Sequence, residues 1–267
     1  MAWYKNASKV KGFLCDISGV LFDAGPGGGS AIKGSVEAIK RLKDAGVPIR
    51  FLTNETTCTR EALVTQLRAL GFEMETSQVI TPIPAAVKVL KERNLRPFYV
   101  VHKDALPDFA GVDTSNPNCV VMGDAQEYFT YERLNEALGI LMNLENPVLL
   151  ALGKGRYYKS HGTLFLDVGA FMKAMEYATG IEAEVVGKPS KTMFLTAVKD
   201  LGLDPDDALM IGDDIVNDVG GAQAAGLRGL QVRTGKFRPS DETHPPVKPD
   251  GYVDNLAEAV DLYLKHR

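Results

Sequence analysis

The chain has 267 residues, 45% hydrophobic and 24% charged, enough for one large or two ordinary soluble domains with a sizeable core. A formal net charge of −4 at pH 7 argues against nucleic acid or an anionic membrane as the main partner. No apolar run approaches a bilayer span, and the polar start Met1–Asn6 lacks a secretory h-region, so the expected setting is cytoplasmic, with the nucleus also open to it.

Phe13-Leu14-Cys15-Asp16-Ile17-Ser18-Gly19-Val20-Leu21 reads as a short buried strand that delivers Asp16 to its carboxyl end, then turns at a glycine. A carboxylate there serves as nucleophile, metal ligand or both, or simply caps the turn; the stretch alone leaves these open. Asp23–Ser30, with four glycines and a proline, reads as a loop without helix or strand, a flap over the Asp16 site. Its glycines fail as a dinucleotide fingerprint, because Ser30 replaces the last one and no strand leads directly to a helix. Val36, Ile39 and Leu42 mark a helix ended by Gly46, and Val47–Leu52 a strand leading to Thr53 and Asn54. Thr59 caps a helix carrying Leu63, Val64, Leu67 and Leu70, closed by Gly71.

Thr81–Pro84 starts a further helix and a change of domain. The β/α rhythm then continues through strands at Phe98–Val101, Cys119–Met122 and Val148–Leu152, with helices around Tyr131–Asn143 and Val168–Thr179. Ala183–Val186 is a strand running into Gly187-Lys188-Pro189-Ser190, and the next helix carries Met193, Phe194, Ala197, Val198 and Leu201. Ala208–Ile211 is a strand ending in Gly212-Asp213-Asp214, followed by a short helix over Asn217–Ala225. Gly229–Val232 is another strand, and a short strand and helix finish the chain over Tyr252–Lys265. The rhythm predicts parallel strands with right-handed crossovers. Of the three cysteines, Cys15 and Cys119 lie in apolar runs and read as packed thiols; with Cys58 they show no metal-site spacing.

Four strand ends carry polar groups: Asp16 with Ser18, Thr53 with Asn54, Lys188, and Asp213 with Asp214 and Asp218. Singly, Lys188 reads as an exposed lysine and Thr53 as a turn cap, and Gly187-Lys188 is no P-loop, since Pro189 stands where Ser or Thr is needed. Brought to one sheet edge, two or three carboxylates require a cation, and oxygen donors with few histidines point to magnesium rather than zinc. Metal, lysine, threonine hydroxyl and carboxylate are together the parts that phosphoryl transfer needs.

Asp16-Ile17-Ser18-Gly19-Val20, Leu52-Thr53-Asn54, Gly187-Lys188-Pro189 and Ile211-Gly212-Asp213-Asp214 with Asp218 resemble the four ordered motifs of the haloacid dehalogenase superfamily. The resemblance implies a Rossmann-like parallel-sheet core over 1–82 and 187–267, with an α/β cap inserted over 83–186. It also implies that Asp16 is phosphorylated and that magnesium is held by Asp16, the Ser18 carbonyl and Asp213. Asp16, Ile17, Ser18, Thr53, Asn54 and Lys188 would contact substrate, and Asp218 would act from behind Lys188 or the metal; Asp214 is left without a role. Three segments (Asp16–Leu21, Gly153–Lys159 and Val232–Asp241) resemble a branch of that superfamily acting on phospholysine, phosphohistidine and inorganic pyrophosphate. A phosphohistidine-bearing protein is thereby a candidate partner, and a homodimer through the cap is implied.

Ser18 departs from the pattern of most phosphatases of this superfamily, which carry there a second Asp as general acid and base. A serine cannot do that work near pH 7, and the loss falls hardest on alkoxide leaving groups. The expected bias is therefore towards P–N and P–O–P bonds. Lys154, Arg156, Tyr157, Tyr158 and Lys159 either face the site or form a solvated basic loop. Two rival readings remain: a phosphatase of a small metabolite such as a sugar phosphate or pyridoxal phosphate, and a phosphate-binding scaffold without turnover.

Overall fold

The computed structural model describes residues 3–244 and 246–267; Met1 and Ala2 of the polar start lie outside them. Gly12–Asp16 is the inner strand of a six-stranded, all-parallel sheet with spatial order 251–253, 228–232, 208–212, 12–16, 49–52, 79–80. Its residues alternate between two buried faces, as a strand covered on both sides must. Phe13 and Cys15 pack with Ile39, Leu42, Leu67 and Val260 from the helices Ser35–Asp44, Arg60–Ala69 and Leu256–His266. Leu14 packs on the other side with Met193, Phe194, Ala197 and Val198 of Lys191–Asp200. The chain steps to 49–52 on one side of Gly12–Asp16 and to 208–212 on the other, so the strand order reverses there. That reversal opens a crevice at the carboxyl ends.

A second sheet of four parallel strands has the order 184–185, 149–151, 119–122, 97–100. Cys119 and Val121 face one apolar cluster with Ile83 and Leu90; Val120 and Met122 face another with Ala137 and Met175. Helices Ile83–Glu92, Tyr131–Met142 and Val168–Thr179 supply those layers. All four strands fall inside the expected insertion. Thr59 Oγ1 accepts the Ala62 N–H at 3.2 Å as the predicted cap, and Gly46, Gly71 and Gly202 adopt the positive φ that ends their helices.

The departures are local. Asp23–Ser30 is not wholly strandless: Phe22–Asp23 and Ser30–Ala31 form a two-residue antiparallel pair that pinches the base of the glycine loop. Tyr157–Ser160 and Thr163–Leu166 form a hairpin rather than a loop, with Tyr158 opposite Phe165. Its turn residues His161 and Gly162 both have positive φ, the conformation that matches the twist of paired strands. The short helix expected to open at Asn217 starts two residues earlier as a wide turn over Ile215–Gly220 before tightening at Gly221–Ala224. Both Asp218 N–H and Val219 N–H donate to the Asp214 carbonyl, at 3.0 and 3.2 Å, which widens the turn. The pair Val79–Ile80, too short to carry a pattern, forms the edge strand. Among the described residues no helix is long and apolar enough to cross a membrane.

Candidate active site

Asp16 ends the inner strand and is 6% exposed. Its Oδ1 accepts the Ile17 N–H at 2.8 Å and Lys188 Nζ at 2.6 Å. Lys188 comes from the return crossing out of the second sheet, yet its ammonium lies inside the core sheet's crevice. It donates to the Leu52 carbonyl at 3.1 Å and pairs with Asp218 Oδ1 at 2.7 Å. Burial alone would lower the pKa of Lys188, but the charges of Asp16 and Asp218 raise it well above the ordinary lysine value, so the ammonium stays charged.

Asn54 explains how Lys188 is aimed. Its amide donates to the Lys188 carbonyl at 2.9 Å and its oxygen accepts the Lys188 N–H at 2.8 Å, clasping the backbone of one residue from both sides. A Cβ on Gly187 would run into the Leu152 carbonyl and Asn54 Oδ1, so the residue before the lysine must be glycine. The Asn54 side chain is thus committed to Lys188. Thr53 is buried; its N–H donates to the Ile80 carbonyl at 3.1 Å and its Oγ1 accepts the Glu55 N–H at 3.0 Å.

Asp213 follows the neighbouring strand and is held tightly. Its Oδ2 accepts the Lys236 N–H at 2.8 Å, and Gly19 and Gly235, both at positive φ, leave no room for a Cβ beside that oxygen. Asp213 Oδ1 is buried without a hydrogen-bond partner. Burial, despite Lys236, and then the nearby Asp16 and Asp218 raise the Asp213 carboxyl well above its ordinary value. Asp214, left without a role by sequence, caps the wide turn: its Oδ1 accepts Val216 and Asn217 N–H, both at 2.9 Å. Burial would raise it, but Lys236 Nζ at 3.1 Å and the Asn217 donors hold it down at about 2.

Oxygens of Asp16, Asp213 and Asp218 all lie within 4.8 Å of one another. Asp218 has both oxygens engaged, Oδ1 by Lys188 and Oδ2 by the Asp214 N–H at 3.1 Å. The free Asp213 Oδ1 and the Asp16 carboxylate are the donors left, and a hard divalent cation fits them. A cavity of about 320 Å³ spans the site, lined by Asp16, Ser18, Thr53, Lys188, Asp213 and Lys236 from the core. Asp124, Gly155, Tyr158, Lys159 and Asp167 line it from the second-sheet region. Tyr158 and Lys159 of the basic stretch therefore face the site, whereas Arg156 and Tyr157 line an adjoining small hollow with Asp241 that shares Asp213, Asp214 and Lys236 with it.

Sequence reasoning singled out neither Lys236, Glu55, Asp124 nor Asp167 for the site. Lys236 had a local signal: it follows Gly235 just beyond a strand, as Lys188 follows Gly187. The carboxylates had none, since each lies in a polar loop of a kind that is common on surfaces.

A haloacid dehalogenase-like hydrolase model matches residues 13–112 and a HAD-hydrolase-like model matches residues 185–259. The chain belongs to the haloacid dehalogenase-like hydrolases. It is 60% identical over 265 residues to the phospholysine phosphohistidine inorganic pyrophosphate phosphatase of Bos taurus, covering 99% of this chain and 98% of that one. The Danio rerio protein of the same name is 58% identical, covering 97% and 96%. Human haloacid dehalogenase-like hydrolase domain-containing protein 2 is 44% identical, covering 96% and 97%. Among solved structures, 4-nitrophenylphosphatase from Thermotoga maritima superposes with a TM-score of 0.84 at 25% identity, covering 96% and 98%. This hydrolase is therefore an enzyme with a capped α/β fold, and the second sheet is its cap.

Proposed function

We propose that this hydrolase is a magnesium-dependent phosphatase that cleaves the P–N bonds of phospholysine and phosphohistidine and the P–O–P bond of inorganic pyrophosphate. The observation that carries the chemistry is the Lys188 ammonium 2.6 Å from Asp16 Oδ1, beside the unpartnered Asp213 Oδ1. The substrate reading is supported by 60% identity, end to end, to a relative bearing those three names.

In this reading an Asp16 oxygen attacks phosphorus, the bond to the leaving group breaks with its electron pair, and an aspartyl-phosphate forms. Lys188 pairs with Asp16 and offsets charge on the transferred group. Thr53 and the main chain at Ile17, Ser18 and Asn54 receive the phosphoryl oxygens; the Asn54 side chain serves by holding Lys188. Asp218, with no exposed surface, fixes the far side of the ammonium. Magnesium held by Asp16, the Ser18 carbonyl and Asp213 would neutralise the crowded carboxylates and polarise the phosphoryl oxygens. Water then releases phosphate and regenerates Asp16.

Ser18 lines the cavity where an acid–base carboxylate would otherwise stand. Ser18→Asp is expected to raise alkyl-phosphate turnover relative to phosphoramidate turnover by about 10²-fold, the lower end of general acid–base effects. An unchanged ratio removes this explanation of selectivity.

The deciding experiment is a substrate panel run with magnesium and again with chelator: pyrophosphate, phospholysine, a phosphohistidine peptide, and several alkyl and aryl phosphates. Magnesium-dependent turnover concentrated in the first three is expected. Rapid turnover of esters alone would instead favour a metabolite or aryl phosphatase, the reading that likeness to 4-nitrophenylphosphatase supports. The cap boundaries 83 and 186, a homodimer through the cap and a cytoplasmic or nuclear setting belong to the same proposal.

A further inference from the structure

Asp124 follows the Cys119–Met122 strand of the cap, and its N–H donates to Thr56 Oγ1 of the core at 2.8 Å. That bond ties the cap to the loop that begins at Thr53, and it brings Asp124 into the cavity shared by Asp16 and Lys188. Asp167, at the N-terminus of Val168–Thr179, lines the same cavity; its Oδ1 accepts the Val168 N–H at 2.6 Å and its Oδ2 fills the space a Gly155 side chain would need. Glu55 lines it from the core. Among the described residues no basic side chain forms an ion pair with any of the three. Yet Lys159 and Lys236 border the same space.

These carboxylates are therefore left without a direct ion-pair partner. Burial first, then the charge of Asp167, pushes Asp124 up to about 7, with Glu55 and Glu127 adding to the effect and the Gln126 N–H opposing it. Burial raises Asp167 too, against the pull of Lys236. Tyr158, in the cap hairpin, presents an aromatic ring to the same cavity, and burial followed by Asp124 and Asp167 pushes its hydroxyl up to about 12. A tyrosine beside carboxylates that form no ion pair is the chemistry of a cation subsite. Lys188, Asp16 and Asp213, which line the same cavity, are the groups that would receive a phosphoryl group.

We propose that Asp124 and Asp167, with Tyr158 beside them, form a leaving-group subsite that takes the protonated nitrogen of a phosphoramidate and disfavours leaving groups that depart as anions. The inference rests on the phosphatase reading above and deepens it. In-line displacement places the leaving group on the side of phosphorus away from Asp16, so it meets the walls that the cap contributes. Nearby carboxylates favour the nitrogen-protonated form of the substrate. When Asp16 bonds to phosphorus, the P–N electron pair passes to a nitrogen that already holds its proton, and a neutral amine departs. No acid is needed at Ser18 for that step. Pyrophosphate departs as a phosphate anion, which the same carboxylates repel.

The test compares kcat/KM for Nε-phospholysine and for pyrophosphate, with magnesium, in the unsubstituted enzyme and in Asp124→Asn, Asp167→Asn and the double variant. The ratio of phospholysine to pyrophosphate turnover is expected to fall about tenfold in the double variant, the size of an opposed pair of charge effects in a partly buried site. Asp124→Glu, which keeps the charge, should restore much of the ratio. A parallel loss of both activities, or an unchanged ratio, overturns the subsite and leaves the phosphatase reading standing. Absence of phospholysine turnover in the unsubstituted enzyme overturns both. If the double variant does not fold, Tyr158→Leu decides: a drop in the same ratio of about threefold supports the subsite, and no drop overturns it.

Discussion

Asp16→Asn is expected to yield a folded protein that has lost at least about 10⁴-fold of its turnover on every substrate, as removal of a nucleophile does. An amide keeps an oxygen for the Ile17 N–H, now 2.8 Å away, and matches the carboxylate in shape. It cannot form the acyl-phosphate bond. Stability should not suffer, because the substitution removes one of three carboxylates crowded within 4.8 Å and leaves Lys188 still paired with Asp218. Turnover on pyrophosphate and phospholysine, read beside a thermal melt, checks both halves. Normal activity in a folded Asp16→Asn protein would sink the mechanism.

Lys188→Met is expected to damage activity and stability together. The methionine fills much the same volume but leaves Asp16 and Asp218, at 2.6 and 2.7 Å from the missing ammonium, buried without their cation. Removing one partner of a buried ion pair costs about 3–5 kcal/mol, or on the order of 10 °C in Tm for a chain of this size. Turnover should fall at least about 10³-fold, since Lys188 offsets charge that develops on the transferred group. Magnesium should return part of the lost Tm by supplying charge to the same carboxylates, so melts with and without chelator separate this account from a simple packing defect. A Tm unaffected by the substitution would show that the lysine does not hold the carboxylates.

Asp16, Thr53 and Asp213 were legible as a group because each follows an apolar strand of one parallel sheet, which must bring such ends to one edge, whereas Lys188 follows a strand of the second sheet and joins them only in the fold. Helix ends were equally legible at Thr59, Gly46 and Gly71, where one residue type satisfies one local need. The hairpin at Tyr157–Leu166 was missed despite a local signal, a two-residue His161-Gly162 turn between two runs of strand formers. Val79–Ile80 carried no such signal, because a two-residue edge strand is defined only by its neighbour.

The sequence by itself determined the chemistry of the phosphoryl end: Asp16, Thr53, Lys188 and Asp213 are the residue types needed, and the parallel strands bring Asp16, Thr53 and Asp213 to one edge. Only the tertiary structure decided how those groups share the space. It gave the Asn54 side chain to the Lys188 backbone, engaged both oxygens of Asp218, left Asp213 Oδ1 open, and placed Lys236 against Asp213 and Asp214. It also brought Asp124 and Asp167 of the cap into one cavity with Asp16, across more than a hundred residues of chain. The physical reason is that strand patterning is a local property, readable from neighbours in sequence. A carboxylate's role depends instead on burial and on which charges lie within a few ångströms, and folding alone settles those.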